Sequence, residues 1–160
     1  MSVIFDPVGL RPDAVEALFH SGVDGTDMHR PMPVADILEG PDDIGLAFQM
    51  NGLPLPQDHG APVRALVPGW GGTASIKWLT EIRIEPARFW TRLNVKGEVY
   101  IGPDHWADTP GPNDIFLDGI TAADIQGNMV RWMNVKSTLT VPLFYEKTPN
   151  IPAAYPPERG

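Results

Sequence analysis

Proline and glycine set the first limit on what this chain can fold into. Eighteen prolines and sixteen glycines make up more than a fifth of its 160 residues. Proline lacks the amide donor a helix needs and clashes with the turn before it, while glycine loses the most entropy on ordering. Long helices are therefore limited, and a loop-rich, mainly β or α+β domain is expected. A hydrophobic share of 42% against 20% charged residues gives one domain enough apolar side chains for a core.

Local patterns fit that expectation. Residues 11–19 (RPDAVEALF) fit either a helix opened by Pro12 and Asp13 or a loosely alternating strand. Residues 34–38 suit one short helical turn. Residues 44–50 read as a strand, and Asn51-Gly52 is a tight-turn signal. An irregular loop over 53–62, a strand over 63–67, a glycine-rich turn over 68–74 and a strand over 76–84 follow. Strand character returns over 135–141, and the proline-rich end, 148–160, reads as an extended arm.

Charge and composition exclude several functions. A net charge of −8 argues against nucleic acid as the main partner, because phosphate backbones need a positive field. It leaves room for a small anion held by a local cationic cluster. The sequence has no cysteine, so thiol nucleophiles, cysteine–zinc sites and iron–sulfur clusters are excluded within it. No apolar run approaches the roughly 20 residues that span a bilayer, so no membrane partner is expected. Residues 1–10 carry no basic residue and include Asp6 and Pro7, unlike a signal peptide. His20, His29 and His105 show no paired metal-ligand spacing and are expected on the surface or in loops.

The chemistry concentrates in 51–79. His59, Arg64 and Lys77 fall on two loops that bracket one short strand, beside glycine-rich backbone at Gly71, Gly72 and Thr73. Arg64 can grip a phosphate as a two-pronged donor, Lys77 as a point charge, and turn amides can add donors. The plainer alternative is a solvated loop carrying Asp58 and His59, with Arg64 paired to a carboxylate. Trp70 and Trp78 can stack on a flat ligand or simply pack in the core or at its rim.

The run FQMNGLPLPQDHGAPVRALVPGWGGTASIKWL, residues 48–79, resembles a signature of the molybdopterin-binding domain of the sulfite oxidase family. Weaker similarity extends back through 15–24 and on to about Trp90. The resemblance implies a β-rich mixed-sheet α+β domain and a molybdopterin (molybdenum cofactor) ligand. It implies that His59 and Arg64 contact the phosphate side of the cofactor and that Ser75, Ile76 and Lys77 grip it. It also implies that Asp24 hydrogen-bonds the pterin ring. The activity implied for the intact family is oxygen-atom transfer to sulfite or a similar small substrate. A haem or cytochrome accepts the electrons, and a homodimer or complementing subunit is possible in that family.

Three departures shape the expectation. The family's molybdenum-ligating cysteine and further arginine and histidine contacts lie upstream of the Asp24 region, and this sequence has neither. The family's active-site tyrosine lies downstream of the matched lysine. Counting on from Lys77 reaches Val95 to Glu98, with Val95 the best match, and Tyr100 fits only with a local shift. The expected organisation is a partial molybdopterin-binding domain over 1–133, then a truncated dimerisation domain or proline-rich tail over 134–160. A fragment inactive alone is expected, with a non-catalytic binding module as the alternative.

Overall fold

The computed structural model describes residues 9–23, 26–39, 44–100 and 108–133. Asp24, His105 and the region expected over 134–160 lie outside them. Strands dominate, as the proline and glycine content predicts. In chain order they are β1 (Glu16–Val23), β2 (Thr26–Pro33), β3 (Gly45–Ala47), β4 (Gln49–Met50), β5 (Leu53–Pro54) and β6 (Arg64–Leu66). They continue as β7 (Glu81–Glu85), β8 (Phe89–Trp90), β9 (Val99–Tyr100), β10 (Ile115–Phe116) and β11 (Asn128–Met129). Among the described residues one α-helix, α1 (Val34–Leu38), forms the short helical turn expected there.

The largest sheet is three-stranded, with order β2-β1-β7 and antiparallel pairing throughout. It resolves the ambiguity over 11–19 in favour of a strand. Pro12 and Asp13 fall in a turn closed by Ala14 N–H donating to Arg11 O, and β1 runs between two partners. Glu16, Ala17, Leu18 and Phe19 are all buried, so both faces of this central strand are covered. Pro31 and Pro33 sit in β2, an edge strand, where a missing amide donor is tolerated.

Two further expectations are sharpened. The strand over 44–50 breaks at Phe48 into β3, which pairs with β6, and β4, which pairs with β5. The β4–β5 turn is formed by Asn51 at φ 54° and Gly52 at φ 79°, the left-handed pair that a tight hairpin requires. The strand expected over 76–84 starts only at Glu81. Trp78 has φ 52° and cannot continue an extended strand. The chain before it pairs locally instead, with Ala65 N–H donating to Ile76 O and Leu79 N–H donating to Val63 O.

The main core gathers Ala17, Phe19, Met32, Val34, Ile37, Ala65, Val67, Trp70 and Ile76, among others. A smaller core of Trp90, Val95 and Ile120 lies around a π-helical turn at Leu93–Gly97. Among the described residues no helix is long and apolar enough to cross a membrane.

Candidate cofactor site

The 51–79 stretch folds into two loops stitched together by its own cations. A 3-10 turn at Gln57–His59 ends on Gly60, and β6 follows. Arg64 Nη1 donates to His59 O and Nη2 to Ser75 O, both at 3.1 Å. Lys77 Nζ donates to Asp58 O at 2.7 Å, and Trp78 Nε1 donates to Gln57 O at 2.8 Å. Ser75 Oγ accepts from Val67 N–H at 3.0 Å. His59, Arg64, Ser75, Ile76 and Lys77 are therefore brought into one neighbourhood. His59 is exposed, Arg64, Ser75 and Lys77 are half-buried, and Ile76 is buried.

A groove of about 270 Å³ runs along this segment, lined by Met28, Gly72, Thr73, Ser75, Ile76, Lys77 and Trp78. None of those residues is a carboxylate, in a chain that is strongly acidic. Trp78 lines the groove, whereas Trp70 is buried in the main core, edge-on to Trp132. Met28 also borders a second cavity of about 420 Å³, shared with Asp27, His29, Arg92, Leu93 and Asp118.

The donor set suits an anionic group. A guanidinium has five N–H donors and an ammonium three. Arg64 spends two on main-chain carbonyls and leaves its Nε buried without a partner. No ion pair among the described residues involves Arg64. Lys77 spends one donor on Asp58 O. Lys77 thus keeps charged donors in the groove wall, while Arg64 stands behind Ser75, whose carbonyl it holds.

A sequence model of the oxidoreductase molybdopterin binding domain matches residues 1–91. The chain belongs to that family. Human mitochondrial sulfite oxidase is 40% identical over 76 residues, covering 46% of this chain and 14% of that protein's length. The NADPH nitrate reductase of Fusarium oxysporum is 35% identical over 118 residues, covering 70% of this chain and 12% of that protein. Among solved structures, the sulfane dehydrogenase SoxCD from Paracoccus pantotrophus superposes with a TM-score of 0.56 and 30% identity. That likeness covers 64% of this chain and 25% of the SoxCD chain. The chain thus spans a small part of the relatives it matches. Its fold is that of a molybdopterin-binding domain of sulfite oxidase type, and the family implies a molybdopterin cofactor.

Val95, the best match to the family's active-site tyrosine, is fully buried in the smaller core. Tyr100 Oη donates to Trp132 O at 3.3 Å, at the β9–β11 pair. Sequence reading missed the groove-lining role of Met28, which carries no charge and lies outside the motif, whereas Gly72 and Thr73 line the groove as expected of the glycine-rich turn. It also placed His20 and His29 on loops or the surface. They are instead half-buried on β1 and β2, directly opposite each other and stacked at 4.5 Å. The pairing register could have shown this once the two strands were aligned. Among the described residues no cluster of three or more His, Asp or Glu could hold a metal.

Proposed function

We propose that this chain grips molybdopterin at its phosphate end, as part of a sulfite oxidase-type oxidoreductase. In this reading Arg64 supplies a two-pronged donor, Lys77 a point charge and His59 a ring N–H. Ser75 and Ile76 line the groove with backbone. Asp24 would accept from the pterin's amino edge. The observation that carries the reading is Arg64, which joins both loops and keeps a buried, unsatisfied Nε. A buried donor without a partner costs about 1–3 kcal/mol, so pairing Arg64 with an anionic group would be favourable if the cofactor reaches it.

When bound, the cofactor supplies the redox centre for oxygen-atom transfer to sulfite or a similar small substrate. This chain's own residues bind and orient it and keep its anionic end paired. The cavity beyond Met28 is lined by Asp27, His29, Arg92, Leu93 and Asp118, with Asp118 hydrogen-bonded to His29 and to the Arg92 N–H. With no cysteine in the sequence, a ligating thiolate would come from a complementing subunit or segment, and a haem or cytochrome partner would take the electrons. The second reading is a non-catalytic module that keeps the cradle. It is favoured by a buried Val95 at the position matched to the tyrosine.

Purification from a molybdopterin-making host, followed by fluorescence of the oxidised, released pterin, tests the cradle. Wild type should carry pterin, and Arg64→Ala should carry about tenfold less, as loss of a charged hydrogen-bond donor predicts. A folded wild-type sample with no pterin above background would sink the reading. Pterin retained with no sulfite-dependent electron transfer, even with the complementing segment added, would favour the second one.

A further inference from the structure

The core face of the main sheet carries a charge. Register places Ala17 opposite Met32, Phe19 opposite Arg30 and Ser21 opposite Met28, so these pairs share one face. Ala17, Phe19 and Met32 belong to the main core, and Met28 lines the cofactor groove. Arg30 stands between them with 0% exposure. Its Nη2 donates to Val130 O at 2.5 Å, while Nε and Nη1 have no hydrogen-bond partner. A buried cation is tolerated only with compensation. Here burial lowers the guanidinium's pKa, and the charge of Glu98 opposes that shift.

Glu98 closes the π-helical turn, its N–H donating to Leu93 O at 2.7 Å. Its carbonyl accepts from Val130 N–H at 2.9 Å, next to the carbonyl that Arg30 holds. Its carboxylate Oε2 accepts from Thr73 Oγ1 at 2.5 Å. Thr73 lies in the 3-10 turn Gly72–Ala74, which leads directly into Ser75, Ile76 and Lys77. A Cβ on Gly71 would sit 3.5 Å from the same Oε2, so the turn passes close over the carboxylate.

We propose that Glu98 is a positioning residue that pins Thr73 and so fixes the turn presenting Ser75–Lys77 to the cofactor. The hydrogen bond from the Thr73 hydroxyl to the Glu98 carboxylate adds a side-chain anchor to the turn's own backbone bonds. Those bonds are Ala74 N–H to Gly71 O at 2.9 Å and Ser75 N–H to Gly72 O at 3.2 Å. The role in cofactor binding rests on the cradle reading above; the pinning itself does not.

Hydrogen exchange on the cofactor-free chain tests the pinning. In Glu98→Ala and in Thr73→Val, the amides of Ala74 and Ser75 should exchange about tenfold faster, while those of β1 keep their wild-type rates. Thr73→Ser should restore wild-type exchange, because it keeps the hydroxyl. Thr73→Val leaves the Glu98 and buried Arg30 side chains unchanged, so it decides the matter should Glu98→Ala fail to fold. Unchanged exchange at Ala74 and Ser75, or a uniform rise that includes β1, overturns the proposal. On pterin-loaded protein, Thr73→Val should release pterin about tenfold faster than wild type and Thr73→Ser at the wild-type rate. A wild type that holds no pterin overturns the cradle alone, since the exchange result stands without it.

Discussion

Gly60 illustrates how one residue decides whether the two halves of the cradle can meet. Its φ is 106°, and a Cβ there would come within 2.8 Å of Lys77 Cβ and 2.9 Å of Lys77 Cα. Gly52 also has a positive φ, 79°, but a Cβ there would meet nothing within 4 Å. The two glycines separate backbone strain from close approach. Gly52→Ala should cost about 1 kcal/mol, the strain of a left-handed alanine. Gly60→Ala should cost about 2–3 kcal/mol, because Lys77 must also move and the Asp58 O bond to its ammonium is put at risk. Urea midpoints for both variants measure the difference. Equal costs would mean that contact with Lys77 is not what selects glycine at 60.

The π-helical turn has its own anchor in buried Asn94. Its Oδ1 accepts from Thr91 N–H at 2.6 Å and Thr91 Oγ1 at 3.1 Å, and its Nδ2 donates to Phe89 O at 2.9 Å. Asn94→Ala leaves two buried main-chain groups unpaired, which should destabilise by about 3 kcal/mol and soften the near-ultraviolet signal of adjacent Trp90. A loss under about 0.5 kcal/mol, within the range of ordinary surface changes, would show that the turn does not depend on it. Nothing in the sequence marks this turn, since Asn94 looks like any loop asparagine until Phe89 and Thr91 fold back upon it. Other elements were legible because their cause is local. Asn51-Gly52 announces its hairpin through the φ values it can adopt, and α1 follows Pro33 as a single short turn. The late start of β7 was not legible, because the backbone of Trp78 turns left-handed where its indole bonds to Gln57 O, a contact made across the cradle. The site divides the same way. His59, Arg64, Ser75, Ile76 and Lys77 lie within one motif on adjoining loops, so sequence brought them together. Glu98 reaches that motif, through Thr73, only once the chain beyond it has folded back.

At the scale of the molecule, a buried acid ties the main sheet to β8. Glu16 lies on β1, on the face opposite Ala17 and Phe19, and its carboxylate accepts from the N–H of Phe89 in β8 at 2.5 Å. β8 carries Trp90 of the smaller core. Burial is the main cause that raises the Glu16 pKa, from an ordinary 4.5 to about 7. The Phe89 N–H and the charges of Arg88 and Arg131 pull it down, while Asp114 pushes it up. In the unfolded chain the group releases its proton near 4.5, whereas the fold holds it to about 7. Between those values the unfolded state binds fewer protons, so stability falls as pH rises. The contribution is fully present below the unfolded value and lost above the folded one. Between about pH 5 and about pH 8 the loss should amount to roughly 2–3 kcal/mol. Glu16→Gln keeps an acceptor for Phe89 N–H and cannot ionise, so its stability should not carry this slope. Denaturation midpoints of wild type and variant at the two pH values give the comparison, with every other titrating group common to both. Parallel pH profiles would show that the contact between β1 and β8 does not hold a protonated Glu16.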